Sequence, residues 1–152
     1  MIKIYKIKKS EIDFRKSPNR WWQFFRRWYI ANKPGWIEFH TDIGVFTYTW
    51  EKGFGCDGRS GGIFVDPIFP NWGNDLEKSL VIAHDISFYG FDISFELSNE
   101  LLRDTMRFIG KAEWRCIAVY EGVSTWIARK AFGCTTDKEK ANKALCSLKW
   151  DA

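Results

Sequence analysis

Trp36-Ile37-Glu38-Phe39-His40-Thr41-Asp42-Ile43-Gly44-Val45-Phe46-Thr47-Tyr48-Thr49-Trp50 is the stretch that decides the fold class. Both of its arms are rich in β-branched and aromatic residues, which pack well on a pleated surface, and Thr41-Asp42-Ile43-Gly44 between them has turn chemistry. The stretch therefore predicts a β-hairpin. On its N-terminal side, residues 2 to 8 alternate apolar with basic, Ile2 and Ile4 falling on one face with lysines between. That pattern predicts an edge strand guarded by lysines.

On the C-terminal side the character of the chain changes. Gly53, Gly55, Gly58, Gly61 and Gly62, followed by Pro67 and Pro70, predict a long constrained loop to about residue 73. Asn74 with Glu77 three residues on then reads as a capped helix start, and Leu76, Leu80, Ala83, His84, Ser87 and Phe88 fall on one stripe of that helix. Gly90 ends it. Ser98 is expected to open a second helix, with Glu100 in its first turn and Leu101, Asp104, Thr105 and Phe108 on one face. From Ala112 to about Ala131 a third apolar series predicts one long or kinked helix. Thr136-Asp137 caps a short last helix with Ala141, Leu145 and Leu148 inward.

The expected architecture is α+β: a small N-terminal antiparallel sheet, a Gly/Pro-rich loop, then three to four packed helices. No repeat or linker divides the 152 residues, so residues 1–152 are expected to form a single domain. Aromatic residues make up 18% of the chain, with nine Trp and 13 Phe, so the core should be built on large rings. The segment Trp21 to Tyr29 fits helix and strand about equally.

Composition narrows the function classes. A net charge of +4 gives mild attraction to anions without demanding nucleic acid, which is not an expected partner. Cys56, Cys116, Cys134 and Cys146 are far apart, and two histidines are too few to complete a usual zinc set. They read as reduced thiols. No secretory signal and no apolar run of bilayer-spanning length is visible, so a soluble chain in a cytosolic compartment is expected.

The candidate site is His84-Asp85, set on an apolar stripe and flanked by Asp57-Gly58-Arg59-Ser60 before it and Asp104 after it. His84 and Asp104 lie on successive predicted helices and face the seam between them. An acid there could fix the imidazole tautomer and make the other ring nitrogen a better base, the minimum for activating a water. Asp85 and Asp57, with carbonyls of the glycine-rich loop, could hold a hard cation. The same groups could instead pin two helices and a loop together, since buried polar groups must find partners whatever their role.

Gly53-Phe54, Asp57-Gly58-x-Ser60, His84-Asp85, Ser98, Asp104 with Phe108, and Tyr120, Gly122 and Trp126 recur in an order that resembles an uncharacterised family common in tailed bacteriophages and prophages. Its pattern is G-F-x-T-D-G-x-S, H-D-x-x-Y, S-R-x-x-A-D-x-x-F and a closing Y-x-x-V-x-x-x-G-x-x-x-W, matched over roughly residues 36 to 127. This chain departs by inserting Gly55-Cys56, by carrying Phe88 then Tyr89 at the tyrosine position, and by placing Leu102-Arg103 before Asp104. The resemblance implies a phage origin, with host cytoplasm or a virion as the location, and a shared site with no established reaction.

A second likeness is to the phospholipase A2 group, through Phe54-Gly55-Cys56-Asp57-Gly58-Arg59-Ser60-Gly61-Gly62 and His84-Asp85. It implies His84 as general base, Ca²⁺ held by Asp85 and the loop, and an ester carbonyl polarised by the ion.

Two functions follow. The first is a phage-encoded hydrolase-like protein acting on an ester or the cell envelope during lysis, entry or host takeover. It would use His84, Asp104 and Ser60, with Asp57 and Asp85 as metal ligands for Ca²⁺ and Tyr89, Arg59 and Trp126 as binding residues. The second is a noncatalytic virion or tail component, or an inhibitor of a host factor, with the same cluster structural. Trp21, Trp22, Arg26, Arg27 and Trp28 form a candidate interfacial patch for an envelope or lipid surface, unless those rings are core.

Overall fold

The computed structural model describes residues 1–16, 29–56, 74–133 and 137–152. In chain order its elements are β1 (Ile4–Lys9), β2 (Phe14–Lys16), β3 (Tyr29–Ala31), β4 (Gly35–Thr41), β5 (Gly44–Trp50) and β6 (Gly55–Cys56). The helices α1 (Asp75–Ser87), α2 (Phe95–Phe108), α3 (Glu113–Val123), α4 (Trp126–Ala131) and α5 (Asp137–Lys143) follow, and β7 (Cys146–Asp151) closes the chain. The fold is α+β. Among the described residues no helix is long and apolar enough to cross a membrane.

The hairpin forms where its chemistry places it. β4 and β5 pair antiparallel from Gly35 opposite Trp50 to Thr41 opposite Gly44, leaving Asp42-Ile43 as a two-residue loop. Thr41 Oγ1 donates to the Gly44 carbonyl at 2.7 Å and accepts from Ile43 N at 3.2 Å, which closes the turn. Gly44 has a φ of +127°, and a Cβ there would sit 2.3 Å from the Asp151 carbonyl oxygen. Only glycine satisfies both demands.

Around this hairpin the sheet runs β1-β4-β5-β7, all neighbours antiparallel, with β1 at one edge as its lysines predict. Ile37, Phe39, Phe46, Tyr48 and Trp50 are fully buried on one face. Each contributes about 1.5–3 kcal/mol by leaving water. A second sheet, β2-β3-β6, packs beside the first, Phe14 lying 5.7 Å from the Trp50 ring and 6.4 Å from Phe54.

α1 begins as expected, with Asn74 Oδ1 accepting from Glu77 N at 3.0 Å. Leu80, Ala83, His84 and Ser87 of the predicted stripe are buried, whereas Leu76 in the first turn is 38% exposed. Lys9 reaches Asp75 at 3.6 Å, and Lys111 pairs with Glu77, so α1 is tied at its start to β1 and to the α2–α3 connection.

Four local expectations are corrected. α2 starts a turn early, because Ser94 rather than Ser98 caps it, its Oγ accepting from Leu97 N at 3.1 Å; Ser98 is buried inside the helix and donates to the Phe95 carbonyl. The series after Ala112 is two helices, since Ser124 and Thr125 leave helical geometry and Thr125 Oγ1 caps α4 at Ala128 N. Gly55-Cys56, expected to be loop, forms a strand against Tyr29-Ile30.

The largest difference is at the C-terminus. The expected helical spacing of Ala141, Leu145 and Leu148 ends with α5 at Lys143, and Leu148 instead stands opposite Tyr48 on β7. Cys146, Leu148 and Trp150 alternate, and that period of two matches the inward face of β5: Trp150 stacks on Phe46 with ring centroids 5.1 Å apart.

Candidate functional site

His84 and Asn99 are held across the seam of α1 and α2, the histidine Nε2 lying 2.8 Å from Asn99 Oδ1. Asn99 Nδ2 donates to the Val123 carbonyl at 3.1 Å, which turns its oxygen toward the ring and makes His84 Nε2 the donor. His84 is buried and packs against Phe88 at 4.7 Å between ring centroids. Burial pushes its pKa down to about 4, the Asn99 bond opposing only part of that shift. At neutral pH the ring is an uncharged donor.

Asp104 is occupied elsewhere. Its carboxylate accepts from Ile2 N at 2.7 Å, from Arg107 Nη1 at 2.7 Å, and from Arg103 Nε and Nη2 at 3.1 and 3.4 Å. Arg107 continues to Glu113 at 2.6 and 2.7 Å, and the Arg103 guanidinium lies over the Tyr120 ring at 4.5 Å. One buried carboxylate thus joins the N-terminal segment and α2, and through its arginines reaches α3. The expected His84–Asp104 couple does not form. Four donors already surround the acid, and the imidazole finds a neutral amide five residues earlier on α2.

Tyr89 and Trp126, among the remaining named residues, make other contacts. Tyr89 Oη accepts from Asn142 Nδ2 at 2.5 Å, and the same amide bonds both N and O of Gly55, pairing with the edge of β6 as a further strand would. Trp126 is 68% exposed with the Lys130 ammonium 5.0 Å over its ring. Asp85 is half-buried on α1. Asp57, Arg59 and Ser60 of the loop, and Trp21, Trp22, Arg26, Arg27 and Trp28 of the interfacial patch, lie outside the described residues. Among the described residues no group of three or more His, Cys, Asp or Glu side chains is arranged to hold a metal.

Between the sheet and the two helices lies a small cavity lined by Tyr48, His84, Ser87, Ser98 and Thr105 among apolar groups. Its free room is about 10 Å³. That suits at most one water and no substrate. The hydroxyls around it have partners in the protein: Thr105 donates to Leu101 and Leu102 carbonyls, and Ser87 to Ala83, with Tyr48 Oη at 3.4 Å. Cys146 and Cys116 are buried thiols whose pKa values are raised by desolvation, Cys146 to about 12, so neither is a ready nucleophile.

Asn99 is the partner that sequence reasoning missed. The spacing Phe95, Asn99, Leu102, Met106 sets an amide on the apolar stripe of α2. A buried amide needs partners, and that requirement is the signal that could have found it.

No protein-family model, curated protein or solved structure matches the chain.

Proposed function

We propose that this chain is a noncatalytic bacteriophage protein, a virion or tail component or an inhibitor of a host factor, in which the polar groups around His84 and Asp104 act as a structural clasp. The phage origin rests on the order of short motifs quoted above. The observation that carries the noncatalytic reading is the Asp104 carboxylate, whose oxygens already accept from Ile2 N, Arg103 and Arg107. A general base needs a lone pair within reach of a substrate proton. His84 is a weak base, its pKa pushed down to about 4 by burial, and the cavity beside it has room for at most one water.

The test compares the wild-type chain with His84→Gln and Asp104→Asn in urea unfolding, and in hydrolysis of a chromogenic ester and of peptidoglycan with and without Ca²⁺. The expected result is loss of stability in both variants and no hydrolysis by the wild type. Hydrolysis by the wild type that disappears in a folded His84→Gln variant overturns the reading in favour of the hydrolase.

A further inference from the structure

The face of the four-stranded sheet that points away from α1 and α2 carries a different set of side chains. Strand register identifies them. Lys6 stands opposite His40 and Lys8 opposite Glu38, while Glu38 and Trp36 stand opposite Thr47 and Thr49. Thr47 and Thr49 in turn face Lys149 and Ser147 of β7. These positions alternate with buried Ile37, Phe39, Phe46 and Tyr48, so they share the outer face.

The register of β1 slips between Ile4 and Lys6, a bulge in which Tyr5 is the extra residue. A bulge sets two successive side chains against one partner residue, which brings Tyr5 beside Lys6. Tyr5 is 57% exposed with the Lys3 ammonium 5.5 Å over its ring. Trp36 is 39% exposed. Trp36 lies four residue steps along β4 from the His40 position beside Lys6, which puts the two aromatic stations roughly 13 Å apart.

We infer that this open face binds single-stranded nucleic acid, with Tyr5 and Trp36 as stacking platforms and Lys6, Lys8 and Lys149 on the phosphates. Flat rings and lysines interleaved on an open sheet match a strand with exposed bases and an anionic backbone, and base stacking is sequence-tolerant because every base has a π-face. The hydroxyls of Thr47, Thr49 and Ser147 add donors and acceptors between the rings. Glu38, whose carboxylate lies 2.9 Å from His40 Nε2, and Asp151, which stands opposite Val45, are the opposing charges on this face. The lysine row also disfavours a second copy of this chain as occupant, since like charges would meet. The whole-chain balance of +4 hides this face because acids elsewhere average it out. The inference goes beyond the noncatalytic reading and does not depend on it, because the face lies across the sheet from His84.

Fluorescence anisotropy of a labelled oligothymidylate of about 15 nucleotides, long enough for one such face, tests it at low salt. The wild-type chain should bind with a log–log salt slope of about −2, as three lysines on a single strand require. Trp36→Ala should weaken binding by about 5- to 100-fold. Lys6→Glu with Lys8→Glu should abolish it, and Glu38→Gln should strengthen it several-fold. Trp114→Ala, on α3 and away from the sheet, should leave it unchanged. Absence of wild-type binding, indifference to the face variants, or equal competition by polyglutamate or an abasic strand would each overturn the inference, and circular dichroism of each variant separates lost binding from lost folding.

Discussion

The two faces of the four-stranded sheet use polar chemistry in opposite ways. Behind the inner face, each polar group of the α1–α2 seam described above is matched within the protein: His84 to Asn99, Asp104 to Ile2, Arg103 and Arg107, Thr105 to its own helix. On the outer face the cations Lys6 and Lys8 are exposed, and Trp36 stands among hydroxyls. Burial is the cause of the difference. In a low-dielectric interior an unmatched charge costs several kcal/mol, so such groups must satisfy one another. At the water-facing surface solvent satisfies them, and they can exchange water for a partner at small cost.

The comparison is most sharply broken at Asp104. Asp104→Ala leaves two arginines and the Ile2 N–H without their acceptor, and a loss of about 3–5 kcal/mol in urea unfolding is expected. A loss under 1 kcal/mol would show that water replaces the carboxylate and that the seam is wetter than its geometry indicates.

Acid should act next most strongly, through His84. The unfolded ring takes its proton near pH 6.5 and the folded ring only near pH 4, so the unfolded state binds the proton first. Stability is therefore full above about pH 6.5, falls as pH is lowered toward 4, and flattens below it, a total of about 3 kcal/mol from this residue. The His84→Gln variant should lose that component of the pH profile. An unchanged profile would mean the ring is solvated.

Asn99→Ala removes the acceptor of His84 Nε2 and is expected to cost about 1–3 kcal/mol, as for a buried donor left unsatisfied. Outer-face variants sit at the small end: Lys6→Glu and Lys8→Glu should each change stability by no more than about 0.5 kcal/mol. A large effect there would mean that the lysines, like Asp104, belong to the internal framework.

Much of the fold was legible in local sequence. The hairpin from Trp36 to Trp50, the lysine-guarded edge strand, and the Asn74 cap each depend on chemistry within a few residues. So does the aromatic core, with Phe39, Phe46, Tyr48 and Trp50 where alternation put them. Leu145 and Leu148 were misread because their spacing fits a helix as well as the start of a strand, and only the unpaired edge of β5 favours the strand. The candidate site was legible as a list of residues set among core positions and illegible as a set of contacts. Nothing near Asp104 in sequence announces Ile2, 102 positions away, as its partner.

The sequence by itself determined the α+β class, the faces of the hairpin strands and the Asn74 cap, because these follow from periodicity and from side-chain bonds to neighbouring backbone. Tertiary structure alone decided which polar groups meet, that Asn99 rather than Asp104 receives the histidine, and that β7 closes the sheet. Those outcomes depend on competition among donors and acceptors distant along the chain. Only packing, by excluding water, makes the choice between them matter.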